Sequence, residues 1–271
     1  MPLTGLIIVA IIGILAGGVI NILADELPRR QPLRPPRYPD GVLREPIAWL
    51  GISAFVTGRR VSPNGFELPW RHPLTELATA GLMIVAYLRA SDAPNMTVIQ
   101  LVFWLIYIAI FVLITVIDIE YRLILFIVII PSAAIAIFDA LITNHGPTLG
   151  EALLGGLLGF VVFFLLYLGG FLFTYTMGKL RGQEITEVAF GYGDVMLITL
   201  SGLILGWQAL IITMFITVFL GAFGALLYLA ARTLMGNRYS LFTPLPYGPY
   251  IIAATLLMLL FAPEVTRVLR S

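Results

Sequence analysis

Eight apolar runs, most of them near the length of a membrane crossing, constrain this chain more than any other feature. They occupy roughly residues 3–24, 74–88, 98–117, 123–142, 149–175, 195–205, 209–231 and 247–262. A transmembrane helix needs about 20 apolar residues, so the pattern predicts an all-α polytopic membrane protein with about eight transmembrane helices. Composition agrees: 59% of the 271 residues are hydrophobic and 11% charged. The first run lacks the basic start of a signal peptide and reads as a retained helix. No internal repeat is evident, which gives no support to a transporter built on inverted repeats.

Between the first two runs lies a segment of another character. Residues 25–73 hold nine of the seventeen prolines and eight arginines, and proline at that density forbids a long helix. The expected division is a first helix at 1–24, a Pro/Arg-rich cytoplasmic loop domain at 25–73, and a seven-helix membrane domain at 74–271. Within the loop, Pro46 suits the first position of a helix, and Trp49, Leu50 and Phe55 follow it. Residues 46–57 therefore read either as an interfacial helix on the lipid surface or as a hydrophobic plug for the loop domain.

Basic residues orient the spans, because cytoplasmic loops retain Lys and Arg. With the N-terminus outside, the eight loop arginines fall on one side together with Arg122, Lys179, Arg181, Arg232 and Arg238. Only Arg89, Arg267 and Arg270 fall on the other. Both termini are then outside and the 25–73 loop is cytoplasmic. Net charge is +1, and the basic residues gather in loops, so nucleic acid is not an expected partner. The absence of cysteine excludes disulfides, a thiolate nucleophile and a thiolate zinc site.

Two acids stand where this map meets the cytoplasmic face. Asp118 follows the third run directly, in "FVLITVIDIEYRLIL", and Asp194 opens the sixth, in "FGYGDVML". Ionisable groups at hydrocarbon depth face a cavity or a partner. Two carboxylates about 3 Å apart cannot both ionise; one acts as a base on water while the other, protonated, acts as an acid. That is the chemistry of aspartic proteolysis. The glycines Gly191 and Gly193 admit a close substrate backbone and permit positive φ. The helix dipole favours an anion at Asp194 and disfavours one at Asp118, which assigns the shared proton to Asp118. The same residues also read more plainly, Asp194 as an N-cap and Asp118 as a helix-ending acid beside Arg122. His72 and His145 fall on opposite faces, so neither a Ser/His/Asp triad nor a two-histidine metal site has its parts. His72 reads as a loop residue, and Asp25, Glu26, Asp40, Glu120, Arg122, Glu184 and Glu187 as solvated loop charges, with Glu120, Arg122, Glu184 and Glu187 also placed to tune the acid pair. The GxxxG spacings Gly13/Gly17, Gly155/Gly159 and Gly202/Gly206 read as helix packing.

Five ordered motifs resemble the type IV prepilin peptidases, membrane aspartic proteases of the GxGD class. "GGVINILADELP" is similar to the family's first-helix exit at Asn21 and Pro28, and "WRHPLTELATAGL" to its second-helix entry at Arg71, Pro73 and Glu76. "DIEYRLIL" and "GYGDVMLITLSGLILGW" resemble the segments of its two catalytic aspartates, and "PYGPY" at 246–250 its last-helix motif. The resemblance implies Asp118 and Asp194 as the catalytic pair, with Gly191 and Gly193 in support and no cofactor for proteolysis. It implies prepilin or pseudopilin substrates, leader removal at the cytoplasmic face of a bacterial or archaeal inner membrane, and contact with lipid. It also implies N-methylation of the new terminus from S-adenosylmethionine, for which Gly58 and Arg59 are the matching loop residues.

Three departures stand out. The loop lacks the family's two CxxC pairs, so no metal is expected; Leu125 replaces a frequent proline, and Met196 a frequent lysine. Two rival readings are a GxGD protease of the presenilin or signal peptide peptidase kind and a non-enzymatic ion-coupled transporter. The first lacks its PAL motif here, and the second would distribute its acids through the membrane. The basic bias yields a direct test of topology. A reporter fused at Ser271 should report an external C-terminus, and a cysteine engineered into the 25–73 loop should resist an impermeant maleimide in intact cells. Labelling of that loop would overturn the map.

Overall fold

A computed structural model of the chain describes residues 3–93, 96–181, 191–234 and 247–270. Glu184, Glu187, Arg238 and Pro246, named above, lie outside them. Among the described residues the regular structure is helical, apart from two isolated β-bridges. The order is α1 (Leu3–Glu26), a 3-10 turn (Pro46–Ala48), α2 (Gly51–Val56), α3 (Arg71–Asp92), α4 (Val98–Tyr121), α5 (Phe126–Ile142), α6 (Leu149–Arg181), α7 (Tyr192–Leu234) and α8 (Gly248–Arg270). The all-α polytopic architecture expected from the apolar runs is present.

Among the described residues five helices are long and apolar enough to cross a membrane: α1, α4, α6, α7 and α8. Helix α5 is apolar but has 17 residues, and α3 carries Arg71, Glu76, Arg89 and Asp92 within its 22. Gly206, at φ 76° and ψ 167°, breaks α7 into legs at 192–205 and 207–234, where the sequence shows two apolar runs. Large apolar side chains such as Ile7, Ile11, Leu15, Leu165, Phe215 and Phe219 are exposed, as lipid-facing surfaces require.

Local sequence explains where several helices start. Thr97 accepts a hydrogen bond from the Gln100 amide at 3.2 Å. Before α6, Thr148 and Glu151 exchange bonds, with the Thr148 amide donating at 2.9 Å and the Glu151 amide donating at 3.3 Å. At α4 a hydroxyl, and at α6 a hydroxyl together with a carboxylate three positions on, satisfy amides that a helix start leaves without partners.

The chain forms two compact units, Met1–Leu123 and Ile124–Ser271. In the first, α1 packs on α3 and α4 packs on both. A Cβ at Gly13 would stand 2.5 Å from the Ala80 Cα, and one at Gly17 the same distance from the Glu76 Cα. Only glycine permits that backbone approach. In the second unit, α7 packs against α5, α6 and α8. Gly155 and Gly202 face one another across α6 and α7 with no room for side chains, and Thr255 of α8 donates to Ser201 of α7 at 2.8 Å. The three GxxxG pairs thus act in packing, as read from their spacing.

The proline-rich segment belongs to the first unit. Its two turns are each closed by one bridge, Arg37 to Leu43 and Val61 to Glu67. Gly41 and Gly65, at φ 85° and 88°, turn the chain there. Asp40 ties the turns together, accepting from Ser62 Oγ at 2.7 Å and Asn64 Nδ2 at 3.1 Å; it is no mere solvated charge. Residues 46–57 form the 3-10 turn and α2 instead of one continuous interfacial helix. Ala48, Ala54 and Leu68 make a small core with Phe55 packed on it, whereas Ile47, Trp49 and Val56 are exposed. The stretch thus plugs a small core on one side and presents an exposed apolar face on the other.

Glu76 fastens this loop to the helices. It is fully buried in α3 and accepts from the Gly51 amide at 2.5 Å, the Ile52 amide at 2.8 Å and Asn21 Nδ2 at 3.4 Å. Asn21 donates in turn to the His72 carbonyl at 3.0 Å. Loss of the carboxylate strands the two amides that start α2, and hydrogen bonds to a charged group contribute about 1.5–3 kcal/mol each. Glu76→Ala should lower stability by about 2–4 kcal/mol and open the 46–57 stretch to limited proteolysis, whereas Glu67→Ala, at the exposed rim, should do neither.

Candidate functional site

The site is built from helix ends. Helix α4 stops because Arg122 adopts the left-handed conformation at φ 54°, its amide donating to the Asp118 carbonyl at 2.9 Å. Leu125 then starts α5 from an extended conformation. The chain breaks after Asp118 without the family's proline, because Arg122 supplies the stop. Asp118 lies in the last turn of α4 and is buried beside Ile114 and Ile117 on the same helix.

Asp194, buried at the other helix end, is the third residue of α7 and not its N-cap. Its Oδ2 accepts from the Gly191 amide at 3.0 Å. This is one half of the exchange that starts α6, and Gly191 has no hydroxyl to return the other. A sequence built only to cap α7 gains from Ser or Thr at that position. The expectation of positive φ at the two glycines is not met, since neither Gly191 nor Gly193 has it. Gly193 is required for another reason: a Cβ there would lie 2.8 Å from the Ile124 Cβ. Tyr192 between them stacks on Phe126, with centroids 6.0 Å apart, and meets Tyr167 edge-on at 5.9 Å. Three aromatic rings thus hold the entry to α7.

Tyr247, which precedes α8 in the "PYGPY" motif, fits against Gly221, where a Cβ would stand 2.7 Å from its ring. The structure thus seats this end of the motif against α7.

The first unit contains a polar cluster that the sequence reading treated as solvated loop residues. Arg71 binds Asp25 at 2.6 Å and Glu120 at 2.9 Å, so the ends of α1 and α4 meet the start of α3 through one guanidinium. His72 is buried, 3.5 Å from Asp25 and 3.2 Å from Arg71. Burial pushes its imidazole below the ordinary histidine value, with the Arg71 and Arg44 charges adding to the shift and Asp25 opposing it. Residues 46 positions apart in the chain pair here, a relation that no local pattern carries. Gly58, at φ 73°, ends α2 and has open space around it among the described residues. Arg59 pairs with Glu45, and its carbonyl accepts from Tyr38 Oη at 2.6 Å.

Asp118 and Asp194 each offer a buried carboxylate at the mouth of an apolar helix, the setting in which a carboxyl group can hold or take a proton away from bulk water. Among the described residues no group of three His, Cys, Asp or Glu side chains is placed to hold a metal ion. The tight fit at Gly193 separates the two glycines by experiment. Gly193→Ala should destabilise by about 1–3 kcal/mol, seen as a lowered thermal midpoint, because Ile124 Cβ is fixed to backbone and cannot swing aside. Gly191→Ala, whose Cβ would meet Asp194 Oδ2 at 3.7 Å, should leave the midpoint unchanged.

Comparison with known proteins supplies an independent view. The type IV leader peptidase family matches residues 105–226. The chain is similar to the prepilin leader peptidase/N-methyltransferase of Aeromonas salmonicida, 31% identical over 82% of this chain and 67% of that protein. It is also similar to the protein of that name from Pseudomonas aeruginosa, 24% identical over 98% of this chain and 93% of that one. A third, from Bacillus subtilis, is 28% identical over 74% and 70%. No solved structure matches the chain.

Proposed function

The chain belongs to the type IV leader peptidase family, and on that premise we propose that it is an aspartic endopeptidase removing the leader of prepilin-like proteins at the cytoplasmic membrane face. The observation that carries the proposal is that the two acids of the aspartate motifs, Asp118 and Asp194, both fall within the family match at 105–226 and are both buried at helix ends; Asp139, buried in the last turn of α5, belongs to neither motif. Prepilins or pseudopilins are the proposed substrates, lipid the surrounding medium, and an inner membrane with both termini outside the proposed setting.

The proposed steps use one proton shared between two carboxyl groups. Asp194 acts as base: the start of α7 and the Gly191 amide favour its anion. It takes a proton from water, whose oxygen attacks the scissile carbonyl carbon. Asp118, at the C-terminal end of α4, gives its proton to the carbonyl oxygen. The tetrahedral intermediate collapses when the leaving amine takes the proton held by Asp194 and the gem-diol returns one to Asp118. The bond broken is the peptide bond, and the pair ends in its starting protonation state.

A second reading, N-methylation of the new terminus with S-adenosylmethionine as donor, is supported as to N-methyl transfer by the names of the relatives. Gly58 and Arg59 are the residues proposed for it. Among the described residues their contacts are those of a helix stop and a loop staple, and no step is routed through that donor.

One assay addresses both readings. Asp118→Asn and Asp194→Asn should each lower cleavage of a co-expressed prepilin by about 10²–10⁴-fold at unchanged membrane levels; substantial cleavage by either variant removes that residue from the pair. Mass spectrometry of the mature terminus should show an added methyl group, absent in Gly58→Leu and Arg59→Ala while cleavage persists. Normal cleavage without the methyl group in the parent chain would leave a peptidase alone.

A further inference from the structure

In the first unit a cavity of ≈ 350 Å³ lies where α1 and α4 end and α3 begins. Five arginines line it, Arg29, Arg34, Arg37, Arg44 and Arg71, against the carboxylates Asp25, Glu26 and Glu120. Arg71 already matches two of those acids, Asp25 and Glu120, and Arg37 gives one bond to the Gly41 carbonyl at 2.8 Å. The wall therefore keeps an excess of positive charge.

Arg44 stands apart from the others. It is 2% exposed, and its Nε and Nη1 meet no acceptor among the described residues. A guanidinium stays charged inside a protein and is costly to bury without a partner. Its fork of donors fits the paired oxygens of a carboxylate or phosphate. Asp25 and Glu76 act on its charge from nearby, but two of its donors keep no acceptor among the described residues, so the cavity wall offers buried N–H groups to an anion.

Location selects which anion. The cavity sits at the ends of α1 and α4, both long and apolar enough to cross a membrane. Residues next to its lining in sequence, Leu33, Leu43 and Trp70, present exposed apolar surface. Apolar and aromatic side chains beside arginines at a span's end mark the membrane–water boundary. Basic pockets between spans at that depth bind the head groups of acidic lipids.

We propose that this cavity binds a phosphate group presented by an anionic phospholipid, with Arg44 as the buried donor and the exposed Arg34 and Arg37 at its mouth. The lipid bridges the ends of α1, α3 and α4 and ties the proline-rich loop to the bilayer. Proteolysis at Asp118 and Asp194 is not part of this proposal and stands or falls separately.

The test uses the purified full chain, with native mass spectrometry and thermal unfolding as readouts and four probes: phosphatidylglycerol, phosphatidylcholine, orthophosphate and S-adenosylhomocysteine. Phosphatidylglycerol should be retained as one adduct and raise the midpoint; phosphatidylcholine should do neither. Orthophosphate should compete for the adduct only at far higher concentration. Arg44→Gln should lose the adduct. Because that substitution touches a buried position, Arg34→Gln and Arg37→Gln provide a second arm, each weakening phosphatidylglycerol binding about fivefold. Adduct and midpoint shift unchanged in all three variants would overturn the proposal. So would no response to phosphatidylglycerol, a response to orthophosphate alone, which makes the ligand a soluble phosphate, or a response to S-adenosylhomocysteine alone, which makes it the methyl donor.

Discussion

A carboxylate deep among helices has to be matched by donors or it destabilises the structure around it. Glu76 meets that demand with the Gly51 and Ile52 amides and Asn21 Nδ2, and the rest of the first unit follows from the arrangement. The two amides are among those left without partners by the start of α2, so the acid serves as that helix's cap from another element. Asn21 lies between Glu76 and the His72 carbonyl, which fixes α1 against α3 in register as well as in distance. Gly17 admits the contact, since a Cβ there would collide with the Glu76 backbone. One residue thus joins a close helix pair, a helix start and a loop that could not hold itself together on a core of Ala48, Ala54 and Leu68 alone.

The second unit relies on a different solution to the same environment. In lipid the hydrophobic effect does not drive helices together, and packing contacts and interhelical hydrogen bonds take its place. Gly155 against Gly202 brings α6 and α7 within backbone contact, and the Thr255–Ser201 bond links α7 to α8. Gly206 then lets α7 change course over Pro147. Glycines do at these positions what a large apolar core does in water, and the acid at the head of α7 is presented on that rigid frame.

Much of this was legible beforehand. The apolar runs located the long helices, although the two runs at 195–205 and 209–231, expected as separate spans, belong to one element bent at Gly206; Asp118 and Asp194 were each expected at a helix end and each lie at one. These are local properties: run length, glycine and the first or last turn of a helix. Asp194 proved to be the third residue of its helix instead of the cap, because its Oδ2 reaches back to the Gly191 amide. Gly193 proved necessary for the nearness of Ile124 and not for its own backbone angle. Both contacts depend on what lies opposite the helix end, which local sequence does not carry.

The sequence by itself determined that this is a helical membrane protein with a proline-rich, arginine-rich insert and two acids at helix ends. Hydrophobic run length and proline's missing amide act within a few residues and need no partner. Only the tertiary structure decided that His72 is buried, that Arg71 gathers Asp25 and Glu120, and that two donors of Arg44 in a cavity wall keep no acceptor among the described residues. Charged side chains read alike in sequence whether solvated or buried. Which they become is set by neighbours such as Asp25, 46 positions from Arg71, that helix packing brings within hydrogen-bond reach.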